Sequence, residues 1–268
     1  MKTPRTQTKQ AGFTLLELMV SIAIFVVLTG AMFGLLDLSQ KRSQTESQVL
    51  ASFQEARLGL DQIVRDVSGA GYPPLNHFSV APPANLYAVS PVAWNPSYPA
   101  TPCQIGTAGG GTCASPGDFD LVIETDINPD ANDGVEWVRY QLQGTTLFRG
   151  VASKVAGADP VATMNAPNVM VPYVLNVMNN APAAQIAQFQ ASYPAVFPGG
   201  TPQPIFQFTC DAAAGPVLCQ NAGASNSPVN VRSIDIRLIV MAPQPDAQTR
   251  APRLVELNGR GRRINPNR

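Results

Sequence analysis

The chain has 268 residues, of which 13% are charged, about half the usual share of a globular domain. Its 18 Lys and Arg balance 18 Asp and Glu, so no net field gathers polyanions, and the electrostatics argue against a duplex-coating nucleic-acid protein. A single histidine, His77, excludes His-rich zinc sites and any relay of two histidines, while 25 Pro and 21 Gly predict long irregular connections.

Cations and no anion occupy the first eleven residues (Lys2, Arg5, Lys9), and an apolar run follows from Phe13 to Leu36. As a helix these 24 residues extend roughly 36 Å, enough to cross a hydrocarbon core of about 30 Å. Thr29-Gly30-Ala31-Met32 is a poor small-x-small cleavage site, so an anchoring helix is expected rather than a removed secretory signal. Glu17 interrupts the run. An acid at that depth needs either a shallow position from which it snorkels or a partner of opposite charge.

Gly12-Phe13-Thr14-Leu15-Leu16-Glu17-Leu18-Met19-Val20, behind a short basic leader and ahead of a long apolar helix, resembles the type IV prepilin (class III) signal. The resemblance implies that a membrane-embedded aspartyl prepilin peptidase cuts after Gly12 and methylates the new N-terminus at Phe13. It also implies that Glu17 pairs with the N-terminal ammonium of a neighbouring subunit during assembly. Methylation leaves that amine positive, and opposite charges attract far more strongly in lipid than in water. Gly30 and Gly34 form a Gly-x-x-x-Gly, which suits close helix packing. In filaments of the family this helix melts locally, and Gly34 is a candidate position for it.

Beyond Asp37 the pattern turns amphipathic: Val49, Phe53, Ala56, Leu60, Ile63 or Val64, and Val67 recur every third or fourth residue. No proline falls between Thr14 and Ser68, so one helix of about 55 residues and roughly 80 Å is expected. It stops at Gly69-Ala70-Gly71-Tyr72-Pro73-Pro74. The stretches Phe53 to Arg57 and Leu60 to Tyr72, with Arg65-Asp66 ahead of Ala70-Gly71-Tyr72, are similar to the matching helix of PilW-type minor pilins. J-type pseudopilins of type II secretion share the Arg-Asp element. Pro73 and Pro74 stand where many PilW sequences carry a cysteine. On its own chemistry the Arg65–Asp66 pair reads as exposed at the helix end.

The remaining chain divides into a Pro/Gly-rich loop region (71–118), an antiparallel β head (119–258) and an Arg-rich tail (259–268), after a leader (1–12), a transmembrane half-helix (13–36) and an amphipathic half (37–70). Strands are expected at Phe119 to Glu124, at Val135 to Leu142 and Thr145 to Phe148 as a hairpin about Gln143-Gly144, and at Val231 to Met241. Weaker signals lie at Ile205 to Phe208 and Leu254 to Leu257, and residues 160–200 give no assignable pattern. A sheet laid on the apolar stripe of the helix makes an α+β fold, type IV pilin-like under the resemblance.

Four cysteines allow three pairings. Cys103 with Cys113 and Cys210 with Cys219 are the favoured bridges, each closing a short loop in a head outside the cytoplasm. Metal ligation is the alternative, weakened because neither spacing is Cys-x-x-Cys. Asp126, Asn128, Asp130, Asn132 and Asp133 offer alternating oxygens for calcium, but Ala131 and Trp137 occupy positions where an EF-hand needs glycine and a bidentate glutamate. A polar loop ending in Asp-Gly accounts for the same residues. Asp118, Asp120 and Glu124 alternate along a strand and read as a solvated face rather than a catalytic pair, and no Gly-x-Ser-x-Gly is present. Arg260, Arg262, Arg263 and Arg268 read as a solvated tail, with DNA capture as the alternative.

No catalytic residue and no cofactor is expected. The resemblance implies a minor pilin working in pilus assembly or at the pilus tip. Its partners would be other pilin subunits, prepilin peptidase and the inner-membrane assembly platform, with the N-terminus cytoplasmic, the head periplasmic and no nucleic acid bound. The alternatives are a J-type secretion pseudopilin in a periplasmic pseudopilus, or a tip adhesin that binds through residues 75–117.

Overall fold

A computed structural model describes residues 12, 14–92, 105, 116–129, 134–213, 215–221, 227–245 and 251–264. The chain forms two compact units, Met1–Ser47 and Gln48–Arg268. A single helix, α1 (Leu15–Gly69), runs through the boundary between them.

In the first unit α1 carries its apolar residues fully outward: Leu15, Leu16, Met19, Phe25, Val27 and Phe33 are all exposed. By length and composition this helix suffices to cross a membrane. Gly30 and Gly34 lie inside it without a helix break.

In the second unit α1 turns its stripe inward, burying Val49, Ala56, Leu60, Ile63 and Val67. The chain leaves the helix through Gly71, whose φ of +88° suits glycine. Two antiparallel four-stranded sheets follow, where the sequence suggested one. The first is a meander in the order β1 (Asp120–Thr125), β2 (Glu136–Gln143), β3 (Thr146–Ser153), β4 (Met170–Val174). The second has the order β6 (Gly215–Leu218), β5 (Phe206–Ala212), β7 (Val231–Met241), β8 (Leu254–Arg262).

The β2–β3 hairpin closes on Gly144 at φ +59°, with Gln143 opposite Thr146. β3 runs on to Ser153 rather than stopping at Phe148. The strands that gave no signal in the sequence, β4 and β6, are both sheet edges and both contain a proline, Pro172 and Pro216, which an edge tolerates and a central strand does not. β8 extends through the arginines that the sequence assigned to a tail. Arg263, just beyond it, is buried and donates to the carbonyls of Val229 and Val231.

One core joins the α1 stripe to the inner faces of both sheets: Leu121 and Ile123 of β1, Val138 and Tyr140 of β2, Phe206 and Phe208 of β5, and Ile234, Ile236 and Leu238 of β7. Alternating neighbours pack on the opposite faces. Val122 and Trp137 meet Met164 of α2 (Pro160–Met164). Ile239 joins Ile186 and Phe189 of α3 (Ala183–Ser192). Both helices, with β4, lie in the span that sequence patterns left unassigned.

Three glycines set how closely the sheets approach α1. A Cβ on Gly59 would lie 2.5 Å from Val174 Cγ2 of β4, and one on Gly259 would lie 2.9 Å from both Leu60 Cδ1 and Val64 Cγ2. A Cβ on Gly261 would lie 2.6 Å from Val67 Cβ.

Candidate assembly site

Thr14 and Glu17 form a reciprocal cap on the first turn of α1. The Thr14 N–H and its hydroxyl both donate to Glu17 Oε2 at 3.0 Å, and the Glu17 N–H donates back to Thr14 Oγ1 at 3.3 Å. This is the Ser/Thr-x-x-Glu capping box, readable in the sequence as Thr14-Leu-Leu-Glu17 and absent from the expectations above. The acid in the apolar run therefore has a partner within its own chain. Ser21 Oγ donates to the Glu17 carbonyl at 2.7 Å, adding a second polar contact on the same turn. Gly12 is exposed. Phe13 and the leader residues 1–11 lie outside the described residues.

Within the second unit, Asp66 overturns the expectation of an exposed pair. Arg65 is exposed, but Asp66 is buried at 7% exposure and ties α1 to the first sheet. Its Oδ2 accepts from the Tyr140 hydroxyl at 2.5 Å and from Arg149 Nη2 at 2.9 Å, while Oδ1 accepts from Gln62 Nε2 at 2.6 Å. Arg149 Nε also donates to Tyr140 Oη at 2.9 Å, and the guanidinium lies 6.0 Å from the Tyr173 ring centroid. Burial, then the Asp66 carboxylate, pushes the Tyr140 phenol well above its ordinary value; burial raises Tyr173 too.

The expectation of a solvated carboxylate face on β1 is likewise corrected. Glu124 is buried, accepting from Trp137 Nε1 at 3.1 Å, from Lys154 Nζ at 3.0 Å and from the Val89 N–H at 2.7 Å. Asp120 accepts two bonds from the buried Arg139, at 2.9 and 2.6 Å, and Arg139 reaches Asn165 at 2.6 Å. These groups fasten the loop after α1, and α2, onto the outer face of the first sheet. Carboxylates engaged by cations in this way, Glu124 buried and Asp120 half-buried, are ties rather than free acids and bases. Asp118 stays exposed.

Cys210 and Cys219 are bridged, pinning β5 to the turn after β6. Cys103 and Cys113 lie outside the described residues. So do Asp130, Asn132 and Asp133 of the calcium candidate. Of the rest, Asp126 Oδ1 accepts the Asn128 N–H at 3.1 Å, the local bond of a polar turn. Arg260 pairs with Asp235 at 2.9 Å on the outer face of the second sheet, Arg262 is exposed at the end of β8, and Arg268 lies outside the described residues.

Tyr140, Arg149, Arg139 and Lys154 escaped the sequence reading because their partners are distant in the chain: Tyr140 is 74 residues and Arg149 83 residues from Asp66.

The family profile described as the prokaryotic N-terminal methylation motif matches residues 7–33. No curated protein and no solved structure matches the chain. The N-terminal segment is thus type IV prepilin-like, and the fold that follows, a long apolar helix and antiparallel sheets, is the α+β arrangement consistent with a pilin-like protein.

Proposed function

We propose that the chain is a minor pilin of a type IV pilus, cut after Gly12, methylated on Phe13, and incorporated in or at the tip of the filament by pairing Glu17 with the N-terminal ammonium of a neighbouring subunit. The observation that carries this reading is the capped Glu17 inside a match to the methylation motif. An acid held by Thr14 on the first helical turn keeps its polar contacts in lipid until a stronger, cationic partner arrives. The head would lie on the periplasmic side of a bacterial inner membrane. The partners would be other pilin subunits, prepilin peptidase and the assembly platform, and the work would be structural, with no bond made or broken by this chain.

The Arg65-Asp66 element belongs equally to J-type pseudopilins, so a type II secretion pseudopilus is the second reading. Glu17→Gln tests the assembly role cleanly, because glutamine preserves the capping box while removing the charge. Expressed in the native host in place of the original chain, this variant is expected to be processed normally and to disappear from sheared filaments. Unchanged incorporation would overturn the pairing. Recovery of the unaltered chain only from cells with an active secretion system, and never in pili, would favour the pseudopilin.

A further inference from the structure

We infer that the outer face of the second sheet carries a binding site for a tetrahedral oxyanion, a phosphate or sulfate group, held by Arg262 together with Arg232 and Arg260. The strand register builds it. Thr209 of β5 stands opposite Ser233 of β7, and Ser233 stands opposite Arg262 of β8, so the three form a row across the sheet. In the next row Asp235 faces Arg260. Ile234 and Ile236 point into the core, which puts Ser233 and Asp235 on the outer face by alternation. Arg232 joins them at the irregularity where the β5–β7 register shifts beside Cys210.

These residues, with Pro216 as a wall, line a concavity of about 470 Å³. Thr209 and Ser233 both line it, and neither hydroxyl makes a hydrogen bond among the described residues, so both remain free to donate to the oxygens of an occupant.

Charge selects its sign. Arg232 is paired with Asp211 at 3.1 Å and Arg260 with Asp235 at 2.9 Å, both partly exposed pairs of the kind that exchange partners at little cost. Arg262 makes no ion pair among the described residues and brings an uncompensated guanidinium to the edge of the concavity. A guanidinium fork beside two hydroxyls matches the oxygens of phosphate or sulfate. Among the described residues no aromatic side chain lines the concavity, so recognition there rests on the oxyanion itself. The group could come as the free ion or as an ester on a larger molecule, and the concavity has room for either.

Equilibrium dialysis of the full-length chain in neutral detergent against labelled inorganic phosphate, with chloride added to hold ionic strength constant, tests the inference. The expected result is saturable binding that is about ten-fold or more weaker in Arg262→Gln, the loss of one charge-assisted contact, and unchanged in Lys41→Gln. Arg262 is exposed, so its variant should fold; Ser233→Ala, expected to weaken binding several-fold, gives a second reading without a change of charge. Competition with glucose 6-phosphate separates the sources: tighter binding than phosphate identifies an ester ligand, weaker binding the free ion, and either result retains the site. No saturable binding, or equal binding by the Arg262 variant, would overturn it.

Discussion

Asp66 gathers a tyrosine hydroxyl, a guanidinium and a glutamine amide onto one buried carboxylate, so its replacements separate charge from hydrogen bonding. Asp66→Asn keeps the shape and strands Arg149 without its counter-ion. It should lower stability by about 2 to 3 kcal/mol, below the full cost of breaking a buried pair because Arg149 is 21% exposed. Tyr140→Phe removes one hydroxyl and should cost about 1 kcal/mol. Urea unfolding followed by near-ultraviolet dichroism measures both.

The same tyrosine carries a pH signature. Its folded value lies above that of the unfolded chain, so above about pH 10 the unfolded state has released a proton that the folded state keeps. Stability supplied by the neutral phenol is therefore complete below pH 10 and lost as pH rises beyond it. Relative to Tyr140→Phe, the wild-type chain should lose about 1.4 kcal/mol per pH unit above that point. Parallel pH curves for the two proteins would contradict the assignment. None of this was legible locally, since an Asp beside an Arg at a helix end looks the same in sequence whether it faces water or a tyrosine on a distant strand.

Among the elements, α1 and β7 were legible because each shows its own period: a stripe every third or fourth residue without proline, and a near alternation from Val231 to Met241. The second half of β8, beyond the weak signal at Leu254 to Leu257, was concealed for a specific reason. Its inward positions Gly259 and Gly261 are glycines, so alternation with Asn258, Arg260 and Arg262 reads as a polar tail. Those glycines are small because α1 lies against them. Gly261→Ala would drive a methyl into Val67 and should destabilise the head by about 1 to 3 kcal/mol. Gly117→Ala, with nothing within 4 Å of the added carbon among the described residues, should leave it unchanged. Equal thermal midpoints for the two variants would mean that the strand does not approach the helix this closely.

At the scale of the whole chain, the N-terminal motif was legible because it is contiguous: a basic leader, Gly12, a Thr-x-x-Glu cap and an unbroken apolar helix. The head speaks less to function, since its buried ion pairs are structural ties and its surface face on the second sheet becomes apparent only through strand register. A pilin role requires processing of that motif. The most direct measurement is the mass of the N-terminal peptide of the chain recovered from membranes of its own host. A chain beginning at methylated Phe13 is the predicted result; a chain still beginning at Met1, or cut near Ala31, would contradict it.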